Sequence, residues 1–348
     1  MINQPALKTL LGWSALLAAL SWTSDPLLAR DKTDVVILTN GDRVTGEIKE
    51  LARGKLRLST DLMGTVEIEW EGIRQLSSDY RFEVEQDTGE RHLGSIRSGP
   101  DRDIEIAGEQ DSVELDHMSV VRIHPIEKGL SRLEGFLDVG FSFTRANRVA
   151  QWSLGAEVRS RTPKRQVKAT LSSLLSDQQD LDRSTRNVLG LSLNRYFGDR
   201  WFAAALAQFT QNEELELDLR SIVGGGLGRH VIQNNRRELS VLGGLLFNRE
   251  QFTGPLPASS NAEAFVGLLF SAFQFSDPET DISLSLFLYP NLSTAGRYRL
   301  DLESRIRYEI FEDFFWGISL FDNFDSDPPL LGAERNDFGI STTFGWEF

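Results

Sequence analysis

Arg299, Asp301, Glu303, Arg305, Arg307 and Glu309 alternate with Tyr298, Leu300, Leu302, Ile306, Tyr308 and Ile310. Successive side chains of a strand point to opposite faces. This spacing therefore puts cations and anions of both signs on one wall and apolar groups on the other. A wall of mixed charge along a narrow lumen can orient a polar solute or an ion. The same charges can instead neutralise one another and close the lumen through mutual ion pairs, and the spacing leaves both outcomes open. The pattern of neighbouring strands also assigns Glu157, Arg159, Lys168 and Arg195 to the inward wall.

Other chemistries find little footing. There is no cysteine, which removes disulfides, thiolate catalysis, cysteine zinc sites and a lipid-acylated N-terminal cysteine. Of four histidines, His92, His117 and His124 lie before residue 126, and no spacing of Asp, Glu and His around them matches a metal-ligand set. They read as solvated strand or turn residues. His230 sits beside the tight Gln233-Asn234-Asn235 turn, whereas hydrolysis in a membrane barrel needs a Ser-His pair at the opposite, outer level. The glycines at 224, 225, 226, 228, 243 and 244 precede no helix, so they cradle no phosphate and mark close strand approach instead. Acidic stretches such as D-Q-Q-D-L-D-R could share divalent cations but read as solubilising loops. The expectation is a protein that is not an enzyme, with no cofactor and no metal. With 51 acidic against 37 basic residues and a net charge of −14, nucleic acid is not an expected partner.

The charged wall must be held by long strands, and the chain from residue 133 onward supplies them. Twelve alternating segments are expected, over 134–144, 150–160, 165–176, 185–197, 200–211, 217–229, 236–249, 262–275, 280–289, 297–310, 314–323 and 336–348. Each is about ten residues or more, the length that crosses a bilayer when tilted. Tight connections (T-P-K-R, G-D, D-P-E-T, E-D) alternate with long ones, as in a barrel whose short turns share one side. Aromatic residues gather at strand ends: Tyr196, Phe197, Trp201, Tyr308, Phe311, Phe314 and Trp316 by the tight turns; Trp152, Phe209, Phe247, Phe252, Phe321, Phe324 and Phe338 by the long loops. Such girdles suit the two membrane interfaces. The reading is a twelve-stranded antiparallel transmembrane β-barrel over 133–348.

Its last segment, N-D-F-G-I-S-T-T-F-G-W-E-F, places Phe344, Trp346 and Phe348 on one face at the fifth-last, third-last and last positions. This pattern resembles the C-terminal signal that barrel-assembly machinery reads in bacterial outer-membrane proteins. At the other end, the dozen apolar residues after Lys8, followed by L-L-A, predict a signal peptide over 1–29.

Residues 33–126 are expected to form two copies of a small five-stranded SH3-like β-barrel, over 33–78 and 79–126, with a period of about 47 residues. V-V-I-L-T-N-G-D-R-V-T-G-E-I aligns with F-E-V-E-Q-D-T-G-E-R-H-L-G-S-I, matching Gly46 to Gly94 and Ile48 to Ile96. Asn40-Gly41 predicts a type I′ hairpin, and Thr88-Gly89 takes the same place in the second copy. I-L-T-N-G-D-R-V-T-G-E-I, the following G-T-V-E-I-E-W and a barrel ending in Phe348 together resemble the salt-induced outer-membrane protein (YdiY-like) family, a β-barrel group of unknown function. The resemblance implies an outer-membrane location and a β-barrel fold; the barrel reading adds contact with outer-membrane lipid and lipopolysaccharide and, with every tight turn inside, a periplasmic first region. It implies no catalytic residues. Two functions follow: a narrow channel for small polar solutes or ions, or a non-conducting barrel whose periplasmic modules bind a protein or cell-wall partner.

Overall fold

The computed structural model describes residues 30–99, 102–108, 111–126, 133–145, 149–178, 183–198, 200–213, 217–253, 258–328 and 334–346. The expected signal peptide and Phe348 lie outside the described residues.

The first region is a nine-stranded sheet built from β1 (Asp34–Leu38), β2 (Arg43–Ala52), β3 (Lys55–Ser59), β4 (Thr65–Glu69), β5 (Ile73–Gln86), β6 (Arg91–Ser98), β7 (Ile104–Ala107), β8 (Ser112–Leu115) and β9 (Val120–Pro125). Four strands, a 3₁₀ turn and a closing strand make one unit, and the same order recurs. The long β5 serves both units: Ile73–Ser77 pairs with β1, and its second half pairs with β6 and β9. One apolar core joins them, with Val36, Ile48, Leu58, Trp70, Phe82 and Ile123 fully buried. Burying a side chain of this kind stabilises by about 1.5–3 kcal/mol.

The repeat is visible atom by atom. In the first hairpin the Gly41 N–H donates to Leu38 O, and in the second the Gly89 N–H donates to Gln86 O. Gly41 and Gly89 have φ of +95° and +85°, while Asn40 keeps an ordinary negative φ. The turn is therefore not type I′. It is a three-residue loop in which only the last residue is left-handed.

Trp70 and His117 occupy matching places in the two 3₁₀ turns. Their rings stack at 4.2 Å with 7° between planes. Trp70 Nε1 donates to His117 O at 2.9 Å, and His117 Nε2 donates to Trp70 O at 2.8 Å. His117 is thus a buried core residue, which corrects the solvated reading, and burial lowers its pKa. His124 is half-buried, and desolvation among Arg161, Arg122, Arg159 and Arg91 holds its pKa well below the usual histidine range. The sequence pattern missed both because polar residues at inward positions look like outward ones until their partners are known.

The second region is a twelve-stranded antiparallel sheet in simple chain order: β10 (Leu133–Thr144), β11 (Val149–Thr162), β12 (Arg165–Gln178), β13 (Ser184–Tyr196), β14 (Trp201–Asn212), β15 (Leu217–Gln233), β16 (Arg237–Phe252), β17 (Ser259–Gln274), β18 (Thr280–Pro290), β19 (Tyr298–Phe311), β20 (Phe314–Asp325) and β21 (Asn336–Trp346). Strand number, order and bounds follow the period-2 pattern closely. Closure does not: among the described residues β10 and β21 make no pairing with each other. Both are exposed along almost their whole length. Alternation assigns faces, but closing a barrel depends on tilt and shear between edge strands, which alternation does not encode.

The sheet is nevertheless curled. On a flat sheet the ends of β11 and β16 would stand about 24 Å apart, five strand spacings. Here Arg161 of β11 lies 4.0 Å from Glu83, and Glu238 of β16 accepts from Arg122 at 2.9 Å. Glu83 and Arg122 belong to adjacent strands of the first region, with Glu83 paired to His124 and Glu85 to Arg122 in the β5–β9 ladder.

Candidate functional site

Cross-strand register sorts every strand of the second sheet into two faces. One carries Leu189, Leu191 and Leu193 on β13, Ile282, Leu284, Leu286 and Leu288 on β18, and Phe338, Ile340 and Phe344 on β21. Phe344 and Trp346 are 65% and 67% exposed there, although Phe344 stacks against Phe314 and Trp316 of β20. The opposite, concave face carries the charges.

Arg299, Asp301, Glu303, Arg305, Arg307 and Glu309 of β19 share that concave face with Tyr289, Phe287, Ser285, Ser283 and Asp281 of β18. Their surroundings differ along the wall. Near the long loops Arg299 Nη2 meets Glu263 at 2.9 Å and lies 4.8 Å above the Tyr289 ring. Arg297 meets Asp325 at 2.6 Å and Arg220 meets Glu250 at 2.8 Å. These three pairs border a cavity of about 500 Å³ that Asn248, Asn261 and Ser259 also line.

Nearer the tight turns, Arg305 lines a further cavity of about 850 Å³ with Ser271, Ser283 and Ser319. No described carboxylate forms an ion pair with Arg305. Arg307 lies 3.8 Å over the Phe315 ring. Glu309 plays a different part: its carboxylate accepts the N–H groups of Glu279 and Asp313 at 2.7 and 3.0 Å and so pins two tight turns.

Glu157, Arg159 and Lys168 face inward, with Lys168 2.7 Å from Glu157. Arg195 does not. It pairs with Arg165 in register and shares the face of Leu193, which corrects its inward assignment. The strand extends to Tyr196 with no change of register, so the alternation that serves Leu189 to Leu193 carries Arg195 outward as well.

Midway along the wall the inner face becomes apolar. Phe202 lies over Gly228, Phe265 against Gly226 and Phe287 over Gly267; a Cβ at Gly228 or Gly267 would come within 2.3 Å of the ring. The glycines make room for aromatic rings lying flat on the inside. His230 Nδ1 is 2.8 Å from Ser240 Oγ on this wall, with the Phe202 ring 4.9 Å from the histidine. A nucleophile would need oxyanion donors near its hydroxyl, yet Ser240 sits mid-strand between β15 and β17, where the ladders occupy the backbone N–H groups.

The first region closes the tight-turn end. Arg53 donates to both Asp281 oxygens at 2.9 Å, and Arg236 grips Glu71 at 2.9 and 3.1 Å. Asn235 Nδ2 donates to Val120 O at 2.9 Å, Gln233 Nε2 to Glu85 at 3.0 Å, and Arg91 to Pro163 O at 2.7 Å. Gly54 and Gly89 are left-handed and press directly on Asn235 and Arg200, where a Cβ would come within 2.5 and 2.6 Å of another atom. The contacts reach four successive tight turns, so this region is a cap across the curled sheet. Charge is buried at the junction. Glu83 is 2% exposed with neither carboxylate oxygen hydrogen-bonded, and desolvation raises its pKa against the pull of Arg91.

The molecule is thus an all-β protein in which a curled, inwardly polar antiparallel sheet carries a double-unit β cap. Residues 137–348 match the family described as a protein of unknown function, DUF481, and the chain belongs to that family. No curated protein matches it. One solved structure is similar, a bacterial polysaccharide outer membrane secretin, at 10% identity and a TM-score of 0.37 over 77% of this chain and 97% of that one.

Proposed function

We propose that the protein is an outer-membrane β-barrel forming a narrow passage for small polar solutes or ions, with the SH3-like cap in the periplasm and no enzymatic activity. One observation carries the reading: the sheet is inverted, apolar outside and charged inside. On β13 the outer face is apolar from Leu189 to Leu193, between Asn187 and Arg195. The eight residue steps from Asn187 to Arg195, at about 3.3 Å each and tilted by about 40°, set these polar borders about 20 Å apart, against about 25 Å for the lipid-facing band of outer-membrane barrels. Its long-loop border is a hydrogen-bonded polar row. Ser173 donates to Asn187 at 2.7 Å, and Asn187 to Gln211 at 3.2 Å. In this frame the long loops face lipopolysaccharide, and the terminal segment is the piece that assembly machinery engages.

Single-channel recording of the refolded full chain in planar bilayers tests the passage. Among the described residues Arg305 is an inward cation with no carboxylate in an ion pair with it, so Arg305→Glu shifts ion selectivity toward cations. A folded, inserted and silent protein overturns the channel.

The inward belt of Phe202, Leu206, Leu242, Leu246, Phe265 and Phe287, together with the docked cap, supports a second reading: a non-conducting barrel whose cap binds a periplasmic protein or cell-wall partner. Silence of both the native protein and Arg53→Ala/Arg236→Ala, which loosens the cap, favours it.

A further inference from the structure

The outer face at the tight-turn end is not uniform. Across β12 to β15 it carries Arg165, Arg195 and Arg229, all exposed. Arg165 and Arg195 are direct cross-strand partners, and Arg229 is the direct partner of Trp201. Like charges placed opposite each other on a sheet repel. Among the described residues no carboxylate forms an ion pair with any of the three, although ion pairs hold Arg159, Arg220, Arg297 and Arg299 elsewhere in the same sheet. Two of the guanidinium groups are instead propped by rings: Arg195 lies 5.5 Å from the Phe197 centroid and Arg229 5.6 Å from that of Trp201. At the same level of β18, β19 and β20 the outer face shows Thr280, Tyr308 and Trp316, with no charge.

The face beyond these arginines has a low relief. Arg195 leads in register to Ala203 and Leu227, Leu193 to Ala205 and Gly225, and Leu191 to Ala207 and Val223. Alanine and glycine thus run from the basic cluster into the apolar band as a shallow trough, flanked by the leucines of β13. A phosphate offers guanidinium groups bidentate hydrogen bonding, and aromatic rings suit the headgroup level of a bilayer. A ligand with an anionic head and an acyl chain meets both halves of this surface.

We propose that the outer face of β12 to β15 at the tight-turn end binds the headgroup phosphate of an anionic phospholipid, with an acyl chain along the Ala203–Ala205–Ala207 trough. This rests on the outer-membrane reading. The bound phosphate removes the repulsion between Arg165 and Arg195 and fixes the depth of the barrel on its capped side.

The test uses the full-length folded protein in detergent, with phosphatidylglycerol, phosphatidylcholine of the same acyl chains, or inorganic phosphate added. Binding is read by native mass spectrometry and by the thermal unfolding midpoint. Phosphatidylglycerol is expected to be retained and to raise the midpoint, and phosphatidylcholine to do so at least tenfold more weakly. Arg165→Gln/Arg195→Gln/Arg229→Gln is expected to abolish the difference while keeping the heat-modifiable gel mobility of a folded barrel. Should that triple variant not fold, Arg195→Gln and Arg229→Gln singly are each expected to weaken phosphatidylglycerol retention severalfold. Equal retention of the two lipids, or unchanged discrimination in the folded variants, overturns the proposal. Stabilisation by inorganic phosphate equal to that by phosphatidylglycerol overturns the lipid assignment and leaves a free-phosphate site. If the native protein does not insert into lipid vesicles, the outer-membrane reading fails; if it inserts without discriminating lipids, only this proposal does.

Discussion

The cap and the curled sheet solve the same backbone problem with opposite side-chain rules. Both satisfy the N–H and C=O groups of their interior strands through antiparallel ladders. The cap turns Ile48, Leu58, Trp70 and Phe82 inward to full burial. The sheet turns Leu191, Val223, Phe247 and Ile340 outward, each at least 40% exposed. On the outer-membrane reading proposed above, the difference lies in the surroundings each face meets: water outside the cap, and hydrocarbon outside the sheet. At the junction neither rule holds, and charged groups are buried instead.

The largest expected effect is in the cap's core. Trp70→Ala removes a fully buried ring, its stacking on His117 and the Nε1 hydrogen bond to His117 O. A loss of about 3–5 kcal/mol is expected, seen as faster hydrogen exchange over Asp34–Ala52, with β10 to β21 still protected. Equal loss of protection in both regions would show that they unfold as one unit.

Next comes a pair of neighbours on opposite faces of β18. Leu284→Arg puts a charge in the middle of the apolar face at a cost of about 2–4 kcal/mol. Ser285→Arg faces Glu303 across the ladder and is expected to leave assembly nearly unchanged. The fraction of folded protein in vesicles, read by heat-modifiable mobility, separates them. If both variants fold alike, the outer face does not meet lipid.

The cap's docking is weaker. Arg53–Asp281 and Arg236–Glu71 are solvent-exposed pairs, each contributing about 0.2–1 kcal/mol and less at high salt. Arg53→Ala/Arg236→Ala is expected to increase protease cutting near Pro163 and Asn235 by a fewfold. Unchanged cutting would place the docking energy in Gln233, Asn235 and the Arg122–Glu238 pair.

The smallest effect is that of pH. His117 and His124 have lowered pKa values, so their contribution is present above pH 6.5 and is lost as pH falls below it. Glu83, with a raised pKa, acts in the other direction: its penalty diminishes as pH falls toward 4.5. The cap's unfolding midpoint is expected to drop between pH 6.5 and 5, and His124→Gln to flatten that drop. A midpoint that rises on acidification would mean Glu83 outweighs both histidines.

Much of this was legible in the chain. Alternation in the 297–310 segment gave both faces of β19, because a strand's period does not depend on what lies across it. The 47-residue repeat was legible through Gly46 and Gly94: a side chain at either would strike the neighbouring strand, at Ser59 O within 2.7 Å and Ala107 O within 2.3 Å. Arg195 and Glu309 were not separable from their neighbours by pattern alone. One is an outward cation and the other a turn clasp, and only the partners across the ladder and the turn tell them apart.

The sequence by itself determined strand number and order in the second sheet, the face of nearly every residue there, and the twofold repeat of the first region, but not the single β5 that the two repeats share. Each follows from local sterics and a period of two. Only the tertiary structure decided that Trp70 and His117 stack across the repeat, that the cap seats on four tight turns, and that among the described residues β10 and β21 make no pairing with each other. Those are contacts between segments far apart in the chain, set by curvature and by the fit of one surface to another, which no local period records.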